Sequence, residues 1–377
     1  MGLSLSGTSQ RARWRGEIVQ LPLRSHCKIA VELWYRHHFM QSGAAMTVRK
    51  IDAFAHILSE PVLAKLQDVM PGFLKSPNFT YRPAVADIAV RLEMMDRFPG
   101  YEQILTLTGP PLVDWLDDKG AGELARRNND SFAELVAKYP DRFTGFAAEV
   151  SLPNVEFAIA EAERSVKDLG ALGVQIYTNA KGRPLDEPEF LPFFDALDGL
   201  GVPIWIHPAR TAAFPDYLTE ETSKYSLWQK FGWPYETAVC MARLIYSGIF
   251  RRHPDLAILT HHAGGIVPHL AGRLTLHHED EIMRRSQGIP EDFSAEETMA
   301  AYQHFYGDTV FSGAHHPLAC ALEFFGTDRL LFATDTPYGS EGGEMFIRET
   351  ILAVEEHAEI AAALFHENAE RVLNIPS

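Results

Sequence analysis

The chain has 377 residues, of which 46% are hydrophobic and 22% charged, an ordinary composition for a globular protein. Its formal net charge of −16 argues against a nucleic-acid-binding surface, and we find no run of about 18 apolar residues that would predict a membrane span. Three widely spaced cysteines, with no Cys-x-x-Cys pair, argue against a disulfide scaffold and favour a reducing compartment, taken here as the cytoplasm.

Residues 1–45 differ in charge from the rest of the chain. They carry six basic and two acidic side chains, whereas residues 46–377 carry 28 basic and 48 acidic ones. Three interpretations are open: translation that really begins at Met46, a disordered or loosely docked tail, or an Arg-rich, acid-poor transit peptide. We therefore expect 1–45 to be a non-native, disordered or targeting extension, and 46–377 to be the folded domain.

From Val48 onward, short apolar runs alternate with amphipathic helical patterns, as in a parallel sheet covered on both faces. The helical pattern of 155–169 begins after Asn154, a plausible N-cap, and stops at Gly170. Eight strands are predicted: 49–56, 102–108, 142–150, 173–178, 202–207, 256–262, 305–312 and 329–335. Eight parallel βα units predict an α/β fold of the (β/α)8 or TIM-barrel type; an open doubly wound sheet is the alternative.

Two stretches are longer than a simple barrel needs. Residues 57–100 predict a small insertion after the first strand. Residues 208–233, after the fifth strand, hold six aromatic side chains: Phe214, Tyr217, Tyr225, Trp228, Phe231 and Trp233. Because the loops after barrel strands build active sites, this aromatic-rich loop predicts either a lid over an aromatic or carboxylate substrate or a helix that covers the barrel top.

Metal-binding residue types stand at the ends of four predicted strands. His56 ends the first, His207 the fifth, His261 and His262 the sixth, and Asp335 the eighth. In a barrel these ends converge on one face, so imidazoles and a carboxylate would meet there and suit a divalent cation such as Zn²⁺. Because neighbouring residues of a strand point to opposite faces, at most one of His261 and His262 should face the interior.

From about residue 48 to the C-terminus the chain resembles the amidohydrolase superfamily, in the branch of aminocarboxymuconate-semialdehyde decarboxylase and related aromatic-acid decarboxylases. The resemblance is carried by "GVQIYTNAKGRPLDEPEFLPFFDALDGLGVPIWIHP", "GWPYETAVCMARLIYSGIFRRHPDLAILTHHAGGIVPHLAGR", "LFATDTPYG" and "HENAERVLNI". It implies a metal-dependent TIM-barrel enzyme that is a homodimer.

The resemblance also implies roles for single residues. The family's first strand usually ends in a pair of ligands; His56 matches the second, whereas Phe54 replaces the first and cannot bind a cation. His207 matches the strand-five ligand, and Asp335 matches the strand-eight ligand that can also carry a proton. His262 matches the general acid/base on strand six. The metal ligands expected from the sequence are thus His56, His207 and Asp335.

Three residues are expected to contact the substrate. Arg273, in "AGR", matches a position that lies near the substrate carboxylate in the family. Trp233 belongs to the aromatic-rich loop, and His315 follows the seventh strand, at the rim of the expected pocket. Asp52 would lie on the same strand face as His56, one layer deeper, as a buried partner and not as a ligand.

The favoured hypothesis is a metal-dependent carbon–carbon lyase, a decarboxylase of a small aromatic or unsaturated carboxylic acid. One divalent ion, Zn²⁺ or alternatively Mn²⁺, would hold the substrate carboxylate, and His262 or Asp335 would deliver a proton. A second hypothesis uses the same ligands to hydrolyse a lactone, ester or amide, or to hydrate a double bond. A third, favoured by Phe54, is a metal-free barrel that binds a ligand. None of these requires a nucleic-acid or membrane partner.

Overall fold

The computed structural model describes residues 48–376, apart from the side chain of Asn78. The segment 1–45 and its three interpretations lie outside the described residues. Within residues 48–376, no helix combines the length and the apolar character that crossing a membrane requires.

Strands form the centre of the fold, and all but two of those described pair in parallel. They are β1 (Lys50–Ile57), β2 (Tyr101–Leu107), β3 (Phe143–Glu149), β4 (Gly173–Tyr177), β5 (Asn179–Ala180), β6 (Arg183–Pro184), β7 (Ile204–His207), β8 (Ile258–Thr260), β9 (Gly307–Asp308) and β10 (Leu330–Leu331). In the described part of the chain, one parallel sheet has the order β1–β2–β3–β4–β7–β8, and β9 pairs in parallel with β10. Strands β5 and β6 form a small antiparallel hairpin.

Hydrogen bonds join both edges of the larger sheet to the smaller one. Beside β8, the Thr260 N–H donates to the Tyr306 carbonyl at 2.8 Å. Beside β1, the Ala53 N–H donates to the Phe332 carbonyl at 2.9 Å, and the His56 N–H donates to the Thr336 carbonyl at 2.7 Å. The sheet is therefore strongly curved, which brings the carboxyl ends of its strands together. The predicted α/β class with a parallel sheet is confirmed.

Helices follow most of the strands. They are α1 (Glu60–Val69), α2 (Pro77–Thr80), α3 (Ile88–Met95), α4 (Asp118–Lys138), α5 (Val155–Leu169), α6 (Leu191–Leu200), α7 (Trp233–Tyr246), α8 (Ile249–Arg252), α9 (Ala271–Leu274), α10 (Glu281–Ser286), α11 (Ala295–His304), α12 (His316–Phe325), α13 (Glu344–Glu355) and α14 (Asn368–Leu373). The predicted ends of α5 are confirmed. The Asn154 side chain accepts the Phe157 N–H at 3.1 Å, and Gly170 ends the helix with φ +74°.

Apolar side chains are buried on both sides of the curved sheet, as the nearly continuous apolar strand patterns predicted. One cluster lies inside the curve and contains Ile51, Phe54, Ile104, Ala147, Trp205, Leu259, Val310 and Leu331. A larger cluster joins the other strand faces to the helices and contains, among others, Leu105, Phe146, Ile176, Ile206, Phe132 and Phe193. The strands are thus held from two sides, which gives their carboxyl ends fixed positions.

Strand β1 is irregular. Its pairing with β2 shifts by one residue between Asp52 and Ala55. Such a bulge breaks the alternation of faces, so the expectation that Asp52 shares a face with His56, which assumed a regular strand, is wrong. The Asp52 carboxylate accepts hydrogen bonds from the hydroxyls of Tyr101 and Thr334, and burial raises its pKa to about 6. Asp52 is therefore a buried partner of β2 and of the segment that follows β10, and not of a ligand.

The start of β4 has no room for a side chain. A Cβ atom added at Gly173 would lie 2.3 Å from the Pro203 carbonyl oxygen and 2.5 Å from the Trp205 ring. We expect Gly173→Ala to lower the free energy of unfolding by about 1–3 kcal/mol, because a buried backbone and a packed indole cannot move aside easily. Chemical denaturation measures this. Gly199→Ala is the matched control, since Gly199 is exposed in α6 with nothing within 4 Å, and alanine should be neutral or stabilising there.

Candidate active site

Three imidazoles and one carboxylate meet at the carboxyl ends of the strands. His56 lies near the end of β1, His207 ends β7, His261 follows β8, and Asp335 follows β10. The three imidazoles can each place a ring nitrogen within 4.8 Å of the other two. Oδ1 of Asp335 lies 3.2 Å from His56 Nε2 and 3.5 Å from His261 Nε2. We call these four residues the His/Asp cluster.

The Nδ1 atom of each imidazole in the His/Asp cluster has a hydrogen-bond partner behind it. His56 Nδ1 lies 2.9 Å from the Thr106 hydroxyl, His207 Nδ1 lies 2.8 Å from the Pro208 carbonyl oxygen, and His261 Nδ1 lies 2.7 Å from Asp308 Oδ2. A carbonyl or carboxylate oxygen only accepts, so the Nδ1 atoms of His207 and His261 carry the protons. This leaves Nε2 as the nitrogen available to a cation, the arrangement usual for metal-binding histidines.

The electrostatics of the His/Asp cluster fit a divalent cation. Nε2 of His56 and Nε2 of His261 are buried and make no hydrogen bond to any described residue. Burial lowers the pKa of His56, and burial together with His261 and His56 holds the pKa of His207 well below its usual range. Burial raises the pKa of Asp335, but the nearby imidazoles of His261 and His56 outweigh it and hold that pKa well below its usual range. Burial lowers the pKa of His261 too, but Asp308 and Asp335 outweigh it and raise that pKa to about 9, so His261 would have to give up a proton to bind a cation. The neutral imidazoles of His56 and His207 beside the ionised carboxylate of Asp335 are a donor set typical of a catalytic divalent metal.

The two histidines after β8 both reach the cluster, so the expectation that at most one of them would do so is wrong. The strand ends at Thr260, and His262 and Ala263 have φ angles of +56° and +49°, so strand alternation no longer applies. The ring centroids of His261 and His262 lie 3.9 Å apart, and His262 can place a ring nitrogen within 4.8 Å of a carboxylate oxygen of Asp335. Nδ1 of His262 is buried without a hydrogen-bond partner among the described residues, and burial lowers its pKa to about 3.

His261 and its partner Asp308 were not assigned from the sequence. Oδ1 of Asp308 accepts the Ala263 N–H at 2.8 Å, so this carboxylate both orients His261 and holds the turn after β8. Phe54 is fully buried and stacks on His261, with 4.2 Å between the ring centroids. The available signals were the His-His pair and an aspartate in the middle of the seventh predicted strand.

A cavity of about 200 Å³ opens beside the His/Asp cluster, and His207 and Asp335 form part of its wall. Its aromatic wall consists of Phe73, Phe79, Tyr177, Trp228, Trp233 and Tyr338. Phe73 and Phe79 come from the 57–100 segment, and Trp228 and Trp233 come from the 208–233 loop. The other aromatic side chains of that loop are exposed: Phe214 by 45%, Tyr217 by 71%, Tyr225 by 80% and Phe231 by 71%.

The three residues expected to contact a substrate have different positions. Trp233 lies in the cavity wall, and its indole N–H donates to the Arg210 carbonyl at 2.8 Å. Arg273 is exposed on the short helix α9 and does not line the cavity. His315 does not line it either, because Glu356 and Glu349 hold its ring, at 2.8 and 3.4 Å. The structure instead places Arg210 in the cavity wall.

The chain is similar to known proteins over most of its length. The family model described as Amidohydrolase matches residues 36–375. Gamma-resorcylate decarboxylase of Polaromonas sp. strain JS666 is 33% identical over 256 residues, which cover 66% of this chain and 76% of that protein.

Two solved structures of similar fold contain bound manganese. A 5-carboxyvanillate decarboxylase from Novosphingobium aromaticivorans with bound manganese is 26% identical, with a TM-score of 0.73 over 88% of this chain and 99% of that one. A dihydroxybenzoic acid decarboxylase from Polaromonas sp. JS666, with bound manganese and the inhibitor 2-nitroresorcinol, is 26% identical, with a TM-score of 0.68 over 87% of this chain and 97% of that one. These relatives are decarboxylases of aromatic acids.

Proposed function

We propose that this chain, which belongs to the amidohydrolase family, is a metal-dependent decarboxylase of small aromatic carboxylic acids. The observation that carries the proposal is the His/Asp cluster at the edge of an aromatic-walled cavity, with two Nε2 atoms that have no hydrogen-bond partner among the described residues. We further propose that the curved sheet is a complete (β/α)8 barrel, with the 57–100 segment and the 208–233 loop as additions around its carboxyl end. The homodimer and the cytoplasmic location stay predictions.

His56, His207 and Asp335 would hold the metal ion, with His261 as a fourth candidate ligand. When bound, the divalent cation supplies a Lewis acid and a template for the substrate carboxylate. The manganese in two related structures makes Mn²⁺ the first ion to test, ahead of the Zn²⁺ favoured from the sequence. Phe54 does not exclude a metal, because His261 stacks on it and turns a nitrogen toward the cluster.

The residues around the cavity would perform the remaining tasks of a decarboxylase. The bond between the ring carbon and the carboxylate breaks, its electron pair stays on the ring carbon, and a proton must reach that carbon. His262 or Asp335, both at the cluster, would deliver it as a general acid after taking up a proton from the substrate or from solvent, because the low pKa of each group leaves it deprotonated beforehand. Trp228 and Trp233, with ring centroids 5.3 Å apart, offer apolar faces that would orient a planar ring and exclude water.

The reaction is tested by CO2 release from a panel of hydroxybenzoic acids, with Mn²⁺-loaded and chelator-treated protein. We expect CO2 release that needs the metal and that His207→Ala abolishes, whereas His316→Ala, at an exposed position, leaves it unchanged. Acid release from lactones or esters without CO2 release would favour the hydrolase alternative. A well-folded protein that takes up no metal would favour the metal-free binding barrel.

A further inference from the structure

We propose that Arg210 forms an anion-binding subsite in the cavity, and that the substrate carries a second acidic group besides the carboxylate released as CO2. The inference rests on the proposed function, which places the scissile carboxylate at the His/Asp cluster. It narrows the substrate class from aromatic acids in general to aromatic dicarboxylates.

Arg210 has no counter-ion within residues 48–376. Among the described residues, its guanidinium group has no ion-pair or hydrogen-bond partner, although the side chain is only partly exposed. Arg243, which lies with Arg210 along an adjoining groove, is paired with Asp186 at 2.7 Å. Of the described residues that line the cavity, Arg210 alone carries a permanent positive charge. Arg210 lines both the cavity and the adjoining groove, and at this border a guanidinium without a partner among the described residues offers up to five donors to a ligand.

The Arg210 side chain is held in place before any ligand binds. The backbone of Arg210 is fixed because its carbonyl oxygen accepts the Trp233 indole N–H at 2.8 Å, and the side chain is positioned by the Phe214 ring, whose centre lies 5.2 Å from the guanidinium. Its stem crosses Gly232 so closely that a Cβ atom there would lie 2.4 Å from Arg210 Cδ and 2.9 Å from Nε. An arginine fixed in this way loses little conformational freedom when it binds an anion.

The remaining walls define the shape of the ligand. Arg210, Trp228 and Trp233 line the same cavity as Asp335 and His207. A cavity of about 150 Å³ is enough to hold a benzene ring, so the 200 Å³ here admits one substituted ring. With one carboxylate at the His/Asp cluster, a second carboxylate on the same ring would meet Arg210, and a guanidinium binds a carboxylate through two parallel hydrogen bonds.

The test compares isophthalate with benzoate, which differ by one carboxylate, by calorimetric titration of the Mn²⁺-loaded protein. We expect isophthalate to bind at least about tenfold more tightly, as charge-assisted hydrogen bonds imply. Arg210→Met should remove this preference and leave benzoate affinity nearly unchanged. Arg243→Met, which removes the same charge outside the cavity, should keep the preference.

Gly232→Ala provides a second variant that keeps the charge. Gly232 has helical backbone angles, so alanine is compatible with its conformation, but the added methyl group displaces Arg210. We expect it to reduce the isophthalate preference as well. Equal affinities in the unmodified protein, or a preference that persists in Arg210→Met, would overturn the subsite. A preference for isophthalate without CO2 release from any aromatic acid would refute the proposed reaction and keep the subsite.

Discussion

Asp335→Asn is expected to lower kcat for decarboxylation by at least about 100-fold, because the loss of a general acid or of a charged ligand usually has an effect of this size. The carboxylate of Asp335 lies within 3.5 Å of Nε2 of both His56 and His261, and asparagine removes its negative charge while keeping its size. Asp335 has a φ angle of +63°, which asparagine adopts more readily than alanine does. The fold should therefore survive.

Steady-state kinetics, elemental analysis of the metal and circular dichroism together measure this effect. Asp328→Asn changes the net charge equally at an exposed position and should leave kcat unchanged. An Asp335→Asn variant with full activity would remove Asp335 from both the ligand set and the proton-transfer step.

Asp308→Asn is expected to weaken Mn²⁺ binding by about 10–100-fold, the usual cost of losing the partner behind a ligand. The Asp308 carboxylate accepts the proton on His261 Nδ1 at 2.7 Å and also the Ala263 N–H at 2.8 Å. In the asparagine variant, the amide oxygen can still accept the hydrogen bond from the Ala263 N–H, while the amide NH2 group faces Nδ1 of His261. The imidazole must then carry its proton on Nε2, where it blocks a cation.

Calorimetric titration with Mn²⁺ alone measures this loss of Mn²⁺ affinity and needs no substrate. Asp195→Asn is the matched control, because Asp195 also pairs with a buried histidine, His253, at 2.8 Å, but outside the His/Asp cluster. If Asp308→Asn binds Mn²⁺ as tightly as the unmodified protein does, His261 is not a ligand, and His56, His207 and Asp335 form the complete set of protein ligands.

The sequence allowed the α/β class and the convergence of His56, His207 and Asp335 to be predicted, because strand ends that meet at one edge follow from the pattern alone. Local backbone departures were not predictable. The bulge in β1 moved Asp52 away from the face of His56, and the positive φ angle of His262 brought a second histidine after β8 to the cluster. Neither feature changes the alternation of apolar residues in the sequence, so the sequence pattern could not predict it.

The contacts of residues outside the strands were also not predictable. His315 follows the seventh predicted strand, but two glutamates on and just after α13 hold its ring, and these are far away in the sequence. Arg273 lies on a short exposed helix. Arg210 stands three residues after the end of β7, where a cavity-lining residue is expected, but sequence alone does not show that its guanidinium has no partner among the residues the structure describes.

The division of the cavity between strand ends and loops makes the protein suitable for redesign. The His/Asp cluster lies at the ends of strands held by packing on both sides, whereas Phe73, Phe79, Arg210 and Trp228 come from the 57–100 and 208–233 segments. Exchanging those two segments would change which rings and substituents are accepted while the groups that hold the metal stay in place. A library confined to these loops would therefore search for new substrates without disturbing the chemistry.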